Sequence, residues 1–258
     1  MSATLPEIAG YLETLLAIST TPDYPPALNG VQVGHQGPVH RIAAAVDASL
    51  RTITMAAEAR ANLLLVHHGL FWGGLRPLTG THETRVRALF AHDIALYSAH
   101  LPLDAHYTFG NSALLAKELG LTVSGGFAKH QQIFCGVRGE ADVDTLELSA
   151  RVAAWSAPLG HHTVVSAIPP GHRTRRWAIC SGSGAQVETL REAYATGVDT
   201  LIVGEGPHWS AVEAEESGLV IIYAGHYATE TLGVKALAAH LSERFGVQWE
   251  FLHAPTGL

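Results

Sequence analysis

Short apolar runs alternate with helical segments along most of the chain, and this alternation restricts the fold more than any other feature. In the first half the apolar runs lie at 41–49, 63–66 and 94–100, and a helical segment follows each of them. Parallel strands need long crossovers between them, which helices normally provide while covering the sheet. The alternation therefore predicts an α/β fold with mostly parallel strands and helices on both faces.

The same order of elements returns in the second half. Two runs of the first half align with two of the second: LLLVHH (63–68) with TLIVGE (200–205), and IALYSAH (94–100) with VIIYAGH (220–226). We infer an internal duplication that gives two related α/β domains, residues 1–126 and 127–258. The stretch 127–175 has two β-type runs around a helical segment and fits the repeat poorly, so we expect it to elaborate the second domain.

The composition is that of a folded protein that needs neither a membrane nor a disulfide framework. Hydrophobic residues make up 47% of the 258 residues and charged residues 15%, which excludes a disordered chain. No apolar run is long enough for a membrane span, and the first residues lack the features of a signal peptide. Cys135 and Cys180 lie in apolar strand-like runs, which favours buried thiols and a cytoplasmic location.

Charge makes a nucleic acid or an acidic membrane an unsuitable partner. The net charge is −7 with neutral histidines, and the one short basic run, HRTRR at 172–176, is expected to be a solvated loop. Histidine is unusually frequent, with sixteen residues, as many as lysine and arginine together. Seven of these histidines are expected at the surface: His35, His40, His82, His92, His130, His161 and His162.

Other histidines, together with acidic residues, follow three of the predicted strands. They form three pairs: His67 with His68, His100 with Asp104, and His226 with Glu230. In the last two pairs the acid follows the histidine by four positions. The functional groups of parallel α/β sheets gather just beyond the carboxyl ends of the strands, so we expect these side chains to converge.

Imidazoles and carboxylates gathered in this way form a ligand set for first-row transition metals. If His100 is not a ligand, three histidines and two acids are too few to saturate two ions, unless a carboxylate bridges the ions and water fills the remaining positions. Positions that the protein does not fill indicate a reactive centre. Two ions that share a water lower its pKa and would produce a metal-bound hydroxide nucleophile near neutral pH. In this scheme Glu230 or Asp104 bridges the ions.

Each of these residues also has an ordinary structural explanation. A single histidine at a strand end is commonly a hydrogen-bonded cap, and Asp104 fits a turn. Glu230 fits the first turn of a helix, where the helix dipole favours an acid. Their joint position at matched strand ends is what favours the metal interpretation. For His100 two roles stay open, a metal ligand or a residue that orients a ligand.

A glycine-rich turn, CSGSGAQ at 180–186, leads into a predicted helix, where backbone N–H groups could hold an anion. It lacks the lysine of a P-loop and the spacing of a dinucleotide-binding turn, so a tight strand-to-helix turn explains it nearly as well. Asn29-Gly30 is a strong turn signal and indicates no more than a turn. The sequence therefore predicts no site for an organic cofactor.

Taken together, the motifs resemble the family of GTP cyclohydrolase 1 type 2 homologues, the Nif-three-like proteins. Five segments carry the resemblance: NGVQVG, LLLVHHGLFWG, SAHLPLDAHYTFGN, ICSGSG and AGHYATE. They span most of the chain, with the weakest coverage around 127–175. The double histidine and the GHYATE element are the most specific of them.

The resemblance implies a set of metal ligands, an architecture and an activity. The implied ligands are His67, His68, Asp104, His226 and Glu230, which hold two divalent cations in the cleft between two related α/β domains. Iron, manganese, zinc and nickel all suit such ligands. The resemblance also implies a ring-shaped homohexamer with its sites facing an inner cavity, and a small-molecule substrate. The family label points to ring-opening hydrolysis of GTP by a dinuclear metal-dependent hydrolase.

Some features depart from the family pattern, and one alternative function stays open. Glu205 stands where many relatives have an aspartate, and His208 is not in register with their later histidine, so the roles of both are open. The alternative is a non-enzymatic metal-binding regulatory or scaffold protein that forms a ring-shaped oligomer. A nucleic-acid-binding ring is disfavoured by the net charge.

Overall fold

The computed structural model describes residues 3–258, and the chain divides into two units. The first unit contains Met1–His106 and Gly233–Ala254, and the second contains Tyr107–Leu232 and Pro255–Leu258. Within the described residues, no helix has the length and apolar character that crossing a bilayer requires.

The first unit is built on a five-stranded sheet. Its strands are β2 Gly30–Val33, β4 Arg41–Asp47, β5 Leu63–His68, β6 Ala95–Ser98 and β13 Gln248–Phe251, while β1 Ala3–Thr4 and β3 Pro38–Val39 form a separate pair. The order across the sheet is β13-β4-β5-β6-β2. The helices are α1 Leu5–Leu16, α2 Leu50–Glu58, α3 Gly80–Ala91, α4 Leu101–Asp104 and α10 Thr231–Phe245, of which α10 starts at the end of the second unit.

The central strands of this sheet are apolar along almost their whole length. Residues 42–46 of β4 and 63–67 of β5 are all buried, as expected of parallel strands that are covered on both sides. The helix after β4 starts at a capping box, in which Ser49 and Thr52 satisfy each other's backbone N–H groups. These local signals explain why the predicted strands and helices of this region are confirmed.

The second unit is built on a six-stranded sheet. Its strands are β7 Val123–His130, β8 Ile133–Asp144, β9 Val164–Val165, β10 Arg173–Cys180, β11 Thr200–Val203 and β12 Val220–Tyr223. The order is β7-β8-β10-β11-β12-β9. The helices are α5 Asn111–Glu118, α6 Thr145–Ser156, α7 Val187–Thr196, α8 His208–Ser217 and α9 His226–Thr229, with a single 3₁₀ turn at Ala157–Leu159.

The two sheets share a core topology. In the first unit β4, β5 and β6 are parallel neighbours, and β2, which precedes them in the chain, is antiparallel on the far side of β6. In the second unit β10, β11 and β12 are parallel neighbours, and β9, which precedes them, is antiparallel on the far side of β12. The strands that align in sequence occupy equivalent places, as a duplication would require, but the duplication itself stays a prediction.

The α/β class is confirmed, with one correction. The expectation of mostly parallel strands is wrong for four strands that pair antiparallel: the edge strands β2, β7 and β9, and β8, which lies between β7 and β10. The β7–β8 hairpin was not expected, because VSGGFAKH has two glycines and no regular alternation of apolar residues. Pairing with the long neighbouring strand makes β7 a strand despite this weak local preference.

The two units differ from the predicted ranges 1–126 and 127–258 in two places. Residues 107–126 belong with the second unit, because β7 spans the predicted boundary and pairs with β8. Residues 233–254 return to the first unit, where β13 pairs in parallel with β4.

One local prediction is also wrong, and one helix starts without a side-chain cap. In α5 the N-cap position is Gly110, and Asn111 is the buried first residue of the helix. The basic run at 172–176 was expected in a solvated loop, but most of it lies in β10. There Arg173 forms an ion pair with Asp142 of β8 at 2.5 Å, so the neighbouring strand supplies the counter-charge.

Two of the histidines that were expected at the surface are buried. The His35 side chain is 6% exposed and lies 3.1 Å from Asp93, while His82 is 3% exposed and packs edge-on against Phe71. Among the residues that the structure describes, neither ring nitrogen of His82 has a hydrogen-bond partner. Burial lowers the pKa of His82 below its ordinary value, and the positive charges of Arg76 and Arg85 lower it further.

The lowered pKa of His82 makes a prediction for stability. Because the unfolded chain binds a proton at His82 more readily than the folded protein, the free energy of unfolding falls as pH drops through about 6.5. We expect His82→Phe to raise the free energy of unfolding by about 1 kcal/mol at neutral pH, by removing two unpartnered nitrogens, and by more at acidic pH. Urea denaturation over a pH series measures this gain. The exposed His92→Phe is the control, and an equal gain at every pH would contradict the argument.

Candidate functional site

Four of the predicted site residues come together in the first unit. His67 and His68 end β5, and their ring centroids lie 4.8 Å apart. His100 follows β6, with its ring centroid 4.8 Å from that of His67 and 5.6 Å from that of His68. One potential ligand atom from each of the three imidazoles lies within 4.8 Å of the other two. Asp104 joins them at the end of α4, with Oδ2 3.4 Å from Nε2 of His67.

The convergence follows from the fold, because β5 and β6 are parallel neighbours whose carboxyl ends lie at one edge of the sheet. His67 is fully buried, while His68 is partly exposed. After β6 the chain turns directly into α4, and this single helical turn brings Asp104 back towards the strand ends. Adjacent side chains on one strand normally point to opposite faces, but His67 and His68 both reach this cluster at the strand terminus.

Each imidazole of this cluster is held at Nδ1. His67 Nδ1 donates to the carbonyl of Ala99 at 2.9 Å. His68 Nδ1 lies 2.9 Å from Asp47 Oδ1, and His100 Nδ1 lies 2.9 Å from Asp23 Oδ1. A carbonyl can only accept, so Nδ1 of His67 carries its hydrogen and a neutral ring has its lone pair on Nε2, the atom that faces Asp104. Metal-binding histidines are typically oriented in this way, by a carbonyl or carboxylate on the other ring nitrogen.

Asp23 and its neighbour Asn29 form a buried support for His100 that the sequence analysis missed. Asp23 accepts from His100 Nδ1, from the backbone N–H of Leu101 and from the Asn29 amide, while Asn29 Oδ1 accepts from the backbone N–H of His100. The Asn29-Gly30 turn signal was visible in the sequence, but nothing local connects it with a residue 71 positions away.

Burial and hydrogen bonding act in opposite directions on this pair. Burial raises the pKa of the Asp23 carboxyl, but hydrogen bonds from His100 and Asn29 outweigh it and hold the pKa below its usual range. Burial lowers the pKa of His100, and the hydrogen bond to Asp23 only partly offsets this effect. Both pKa shifts favour a neutral His100 imidazole beside a charged Asp23 carboxylate. A neutral imidazole is the form in which histidine binds a metal.

The second unit brings the other two predicted residues together. His226 starts the short helix α9 and Glu230 follows its end, so their spacing of four places both side chains on one face. His226 Nε2 lies 3.2 Å from Glu230 Oε2, and His226 Nδ1 lies 2.8 Å from Glu205 Oε1. Glu230 is 3% exposed. Burial lowers the pKa of His226, but the hydrogen bonds and charges of Glu230 and Glu205 raise it to about 9.

The structure gives Glu205, whose role was open, a definite contact. It holds Nδ1 of His226 as Asp47 holds Nδ1 of His68, and Ser183 Oγ donates to it at 3.2 Å. His208 is exposed and starts α8. The site of the second unit is therefore supported by Glu205 and not by His208.

The glycine-rich turn lies directly against this second cluster. Gly182 has a φ of +63°, and a Cβ there would lie 2.2 Å from Oε1 of Glu230 and 3.3 Å from Nε2 of His226. Its N–H donates to the Thr229 hydroxyl at 3.0 Å. The turn is thus explained by close approach of its backbone to His226 and Glu230, and the Gly182 N–H is already used within the protein.

The donors in both clusters fit divalent transition metals. The first cluster combines three imidazoles with a buried carboxylate, and the second combines one imidazole with a buried carboxylate. The Nδ1 atom of each imidazole is held by a carboxylate or carbonyl. Imidazole and carboxylate together suit iron, manganese, zinc and nickel. The predicted ligands therefore divide between the units: His67, His68 and Asp104 in the first, His226 and Glu230 in the second. That they share one site stays a prediction.

Nearly the whole sequence matches a known family. The model of the family Duf34/NIF3 (NGG1p interacting factor 3) matches residues 3–256. A protein of Deinococcus radiodurans named GTP cyclohydrolase 1 type 2 homolog is 42% identical over 98% of this chain and 94% of its own length. A protein of the same name from Halobacterium salinarum is 45% identical over 90% of this chain and 91% of its own length.

Solved structures show the same fold. The protein ybgI, described as of unknown function, superimposes with a TM-score of 0.88 at 34% identity over the full length of both chains. TTHA1606 from Thermus thermophilus superimposes with a TM-score of 0.88 at 39% identity, also over the full length of both chains. The similarity covers both units and all the residues described above.

Proposed function

Because the chain belongs to the Duf34/NIF3 family, several of whose members are named GTP cyclohydrolase 1 type 2 homologues, we propose that it is a dinuclear metal-dependent hydrolase. The observation that carries this proposal is the first-unit cluster, in which three imidazoles converge with their Nδ1 atoms already engaged by Ala99, Asp47 and Asp23. A purely structural role would not require all three rings to be oriented in this way.

Five residues would hold the two cations: His67, His68, Asp104, His226 and Glu230. When bound, divalent cations supply Lewis-acid polarisation of a substrate oxygen and lower the pKa of a coordinated water. Asp104 and Glu230 contribute the negative charge that offsets the cations, and we assign them the catalytic carboxylate roles. Both are strongly buried, which strengthens their electrostatic interaction with a bound cation.

The surrounding residues keep the donors in place. Asp47 and Glu205 hold the Nδ1 atoms of His68 and His226, which fixes both rings and raises the basicity of the nitrogen directed away from the carboxylate. The absence of a side chain at Gly182 leaves the space that the Glu230 carboxylate and the His226 ring occupy. The names of the relatives make a purine nucleotide of the GTP kind the first substrate to test.

Metal analysis followed by an activity screen tests the proposal. The purified protein, reconstituted separately with iron, manganese, zinc and nickel, is expected to bind about two ions per chain. A panel of nucleotides and phosphoesters is then assayed with and without a chelator, and turnover should disappear with chelator and return with metal. Failure to bind any of the four metals, or a turnover that resists chelation, would refute the hydrolase.

A second candidate is a non-enzymatic metal-binding regulatory or scaffold protein. The burial of the His67 and Glu230 side chains favours it, because a catalytic metal keeps an open position for water or substrate. This candidate predicts that removing metal changes the oligomeric state and that no compound is turned over. Light scattering with and without chelator separates it from the hydrolase. The ring-shaped hexamer and the cytoplasmic location stay predictions.

A further inference from the structure

Two aromatic side chains lie against the histidine cluster of the first unit. The Trp72 ring centroid is 4.3 Å from that of His100 and 5.6 Å from that of His68, at interplanar angles of 83° and 80°. The Tyr24 centroid is 6.0 Å from that of His100 and 6.5 Å from that of Trp72. Such edge-to-face and tilted contacts are the favourable geometries for aromatic pairs.

Both residues are placed by the same segments that support the cluster. Tyr24 follows Asp23, the carboxylate that holds His100. Trp72 lies in the loop between β5 and α3, near its start, where the Leu70 N–H donates to Gln32 Oε1 at 2.8 Å and the Phe71 carbonyl accepts from Leu28 at 3.3 Å. The backbone leading to Trp72 is therefore anchored to the segment around β2.

The rings of Tyr24 and Trp72 are more exposed to solvent than is favourable for large apolar side chains. Tyr24 is 49% exposed and Trp72 is partly exposed, although both rings are large and apolar. Rings that only shielded the imidazoles from water would do so better if the loop after Trp72 covered them. The residues of that loop are themselves exposed. Two exposed rings beside a cluster of potential metal ligands instead provide a surface on which a flat ring can stack.

We infer that Tyr24 and Trp72 form an aromatic platform that binds a planar heteroaromatic ring of the substrate beside the histidine cluster. This inference rests on the proposed function, since it assigns the substrate-positioning residues of the same site. A nucleobase is the chemical class that fits best, because every base has a π-face that stacks on aromatic side chains without requiring specific hydrogen bonds. Tyr24 and Trp72 act as positioning residues, while the histidines and acids hold the reacting end.

Equilibrium binding to two probes tests the inference. GMP carries the ring, and ribose 5-phosphate carries the same sugar and phosphate without it. We expect Trp72→Ala to weaken GMP binding about 10-fold, Tyr24→Ala somewhat less, and Trp72→Phe very little, because stacking on one aromatic side chain is worth about that much. Ribose 5-phosphate binding should be unchanged in all three. Trp209→Ala, which removes a 38% exposed tryptophan from α8, is the matched control.

Metal content, measured on the same samples, distinguishes stacking from mere support of the cluster. It should stay unchanged in Trp72→Ala, and a loss of metal together with GMP binding would overturn the inference, because Trp72 would then only support the histidines. Equal weakening of GMP and ribose 5-phosphate, or no GMP binding by the unmodified protein, would also overturn it. Trp72-dependent GMP binding without any metal-dependent turnover would preserve the platform and refute the hydrolase, so the two failures can be told apart.

Discussion

Replacing His68 with alanine is expected to reduce turnover by at least about 100-fold and to remove metal from the first-unit cluster, since the loss of a ligand should exceed the effects known for supporting residues. His68 is the most suitable histidine for this test, because its side chain is 22% exposed and its truncation leaves a smaller cavity than truncation of the fully buried His67. Metal stoichiometry and kcat/KM for whichever substrate the screen identifies measure the two effects.

A graded series makes this prediction more specific. Asp47→Asn keeps the shape of the side chain that holds His68 Nδ1 but removes its charge, so we expect a smaller loss of metal affinity, about 10-fold. The exposed His92→Ala of the same unit should have no effect. If His68→Ala bound metal as well as the unmodified protein does, His68 could not be a ligand.

Replacing Glu230 with glutamine is expected to reduce turnover about as strongly as His68→Ala does, by acting on the cluster of the second unit. The substitution keeps the volume of a nearly fully buried side chain and removes the carboxylate charge that a cation would require. We expect turnover to fall at least about 100-fold, and the metal-induced gain in unfolding free energy, about 2.7 kcal/mol at a hundredfold excess over Kd, to be largely lost. Thermal unfolding with and without added metal measures this gain.

The matched control for this second variant is Glu216→Gln, which changes an exposed carboxylate on α8. It should keep both the turnover and the metal-induced gain in stability. Normal turnover in Glu230→Gln would exclude a catalytic role for Glu230, even if metal binding at His226 proved real. A variant that kept the metal but lost turnover would place Glu230 in the reaction and not among the ligands.

The site residues that could be predicted from the sequence lie at the ends of strands or just beyond them. His67 and His68 are visible as polar residues that terminate an apolar run, and Asp104 and Glu230 as acids at helical spacing from a histidine. Parallel neighbouring strands necessarily end at one edge of a sheet, so the clustering within each unit follows from the sequence pattern.

The parts of the site that could not be predicted from the sequence depend on contacts between distant segments. Asp23 reaches His100 across 77 residues, and no local pattern marks it as a support. Asp47 ends the apolar run of β4 and is visible in the sequence for that reason, but nothing local connects it with His68, 21 residues away. The same limit explains the unit boundaries. The pairing of β13 with β4 joins segments from opposite ends of the chain, and hydrophobic periodicity carries no information about such a pairing.

That late pairing has a consequence for synthesis on the ribosome. β4 is fully apolar from Ile42 to Val46, and the strand that covers its open edge, β13, is translated about 200 residues later. At usual elongation rates the nascent chain must carry this bare edge for on the order of tens of seconds. An apolar edge without a partner recruits strands from other chains, so newly made copies of this protein should depend on chaperones until translation reaches Phe251.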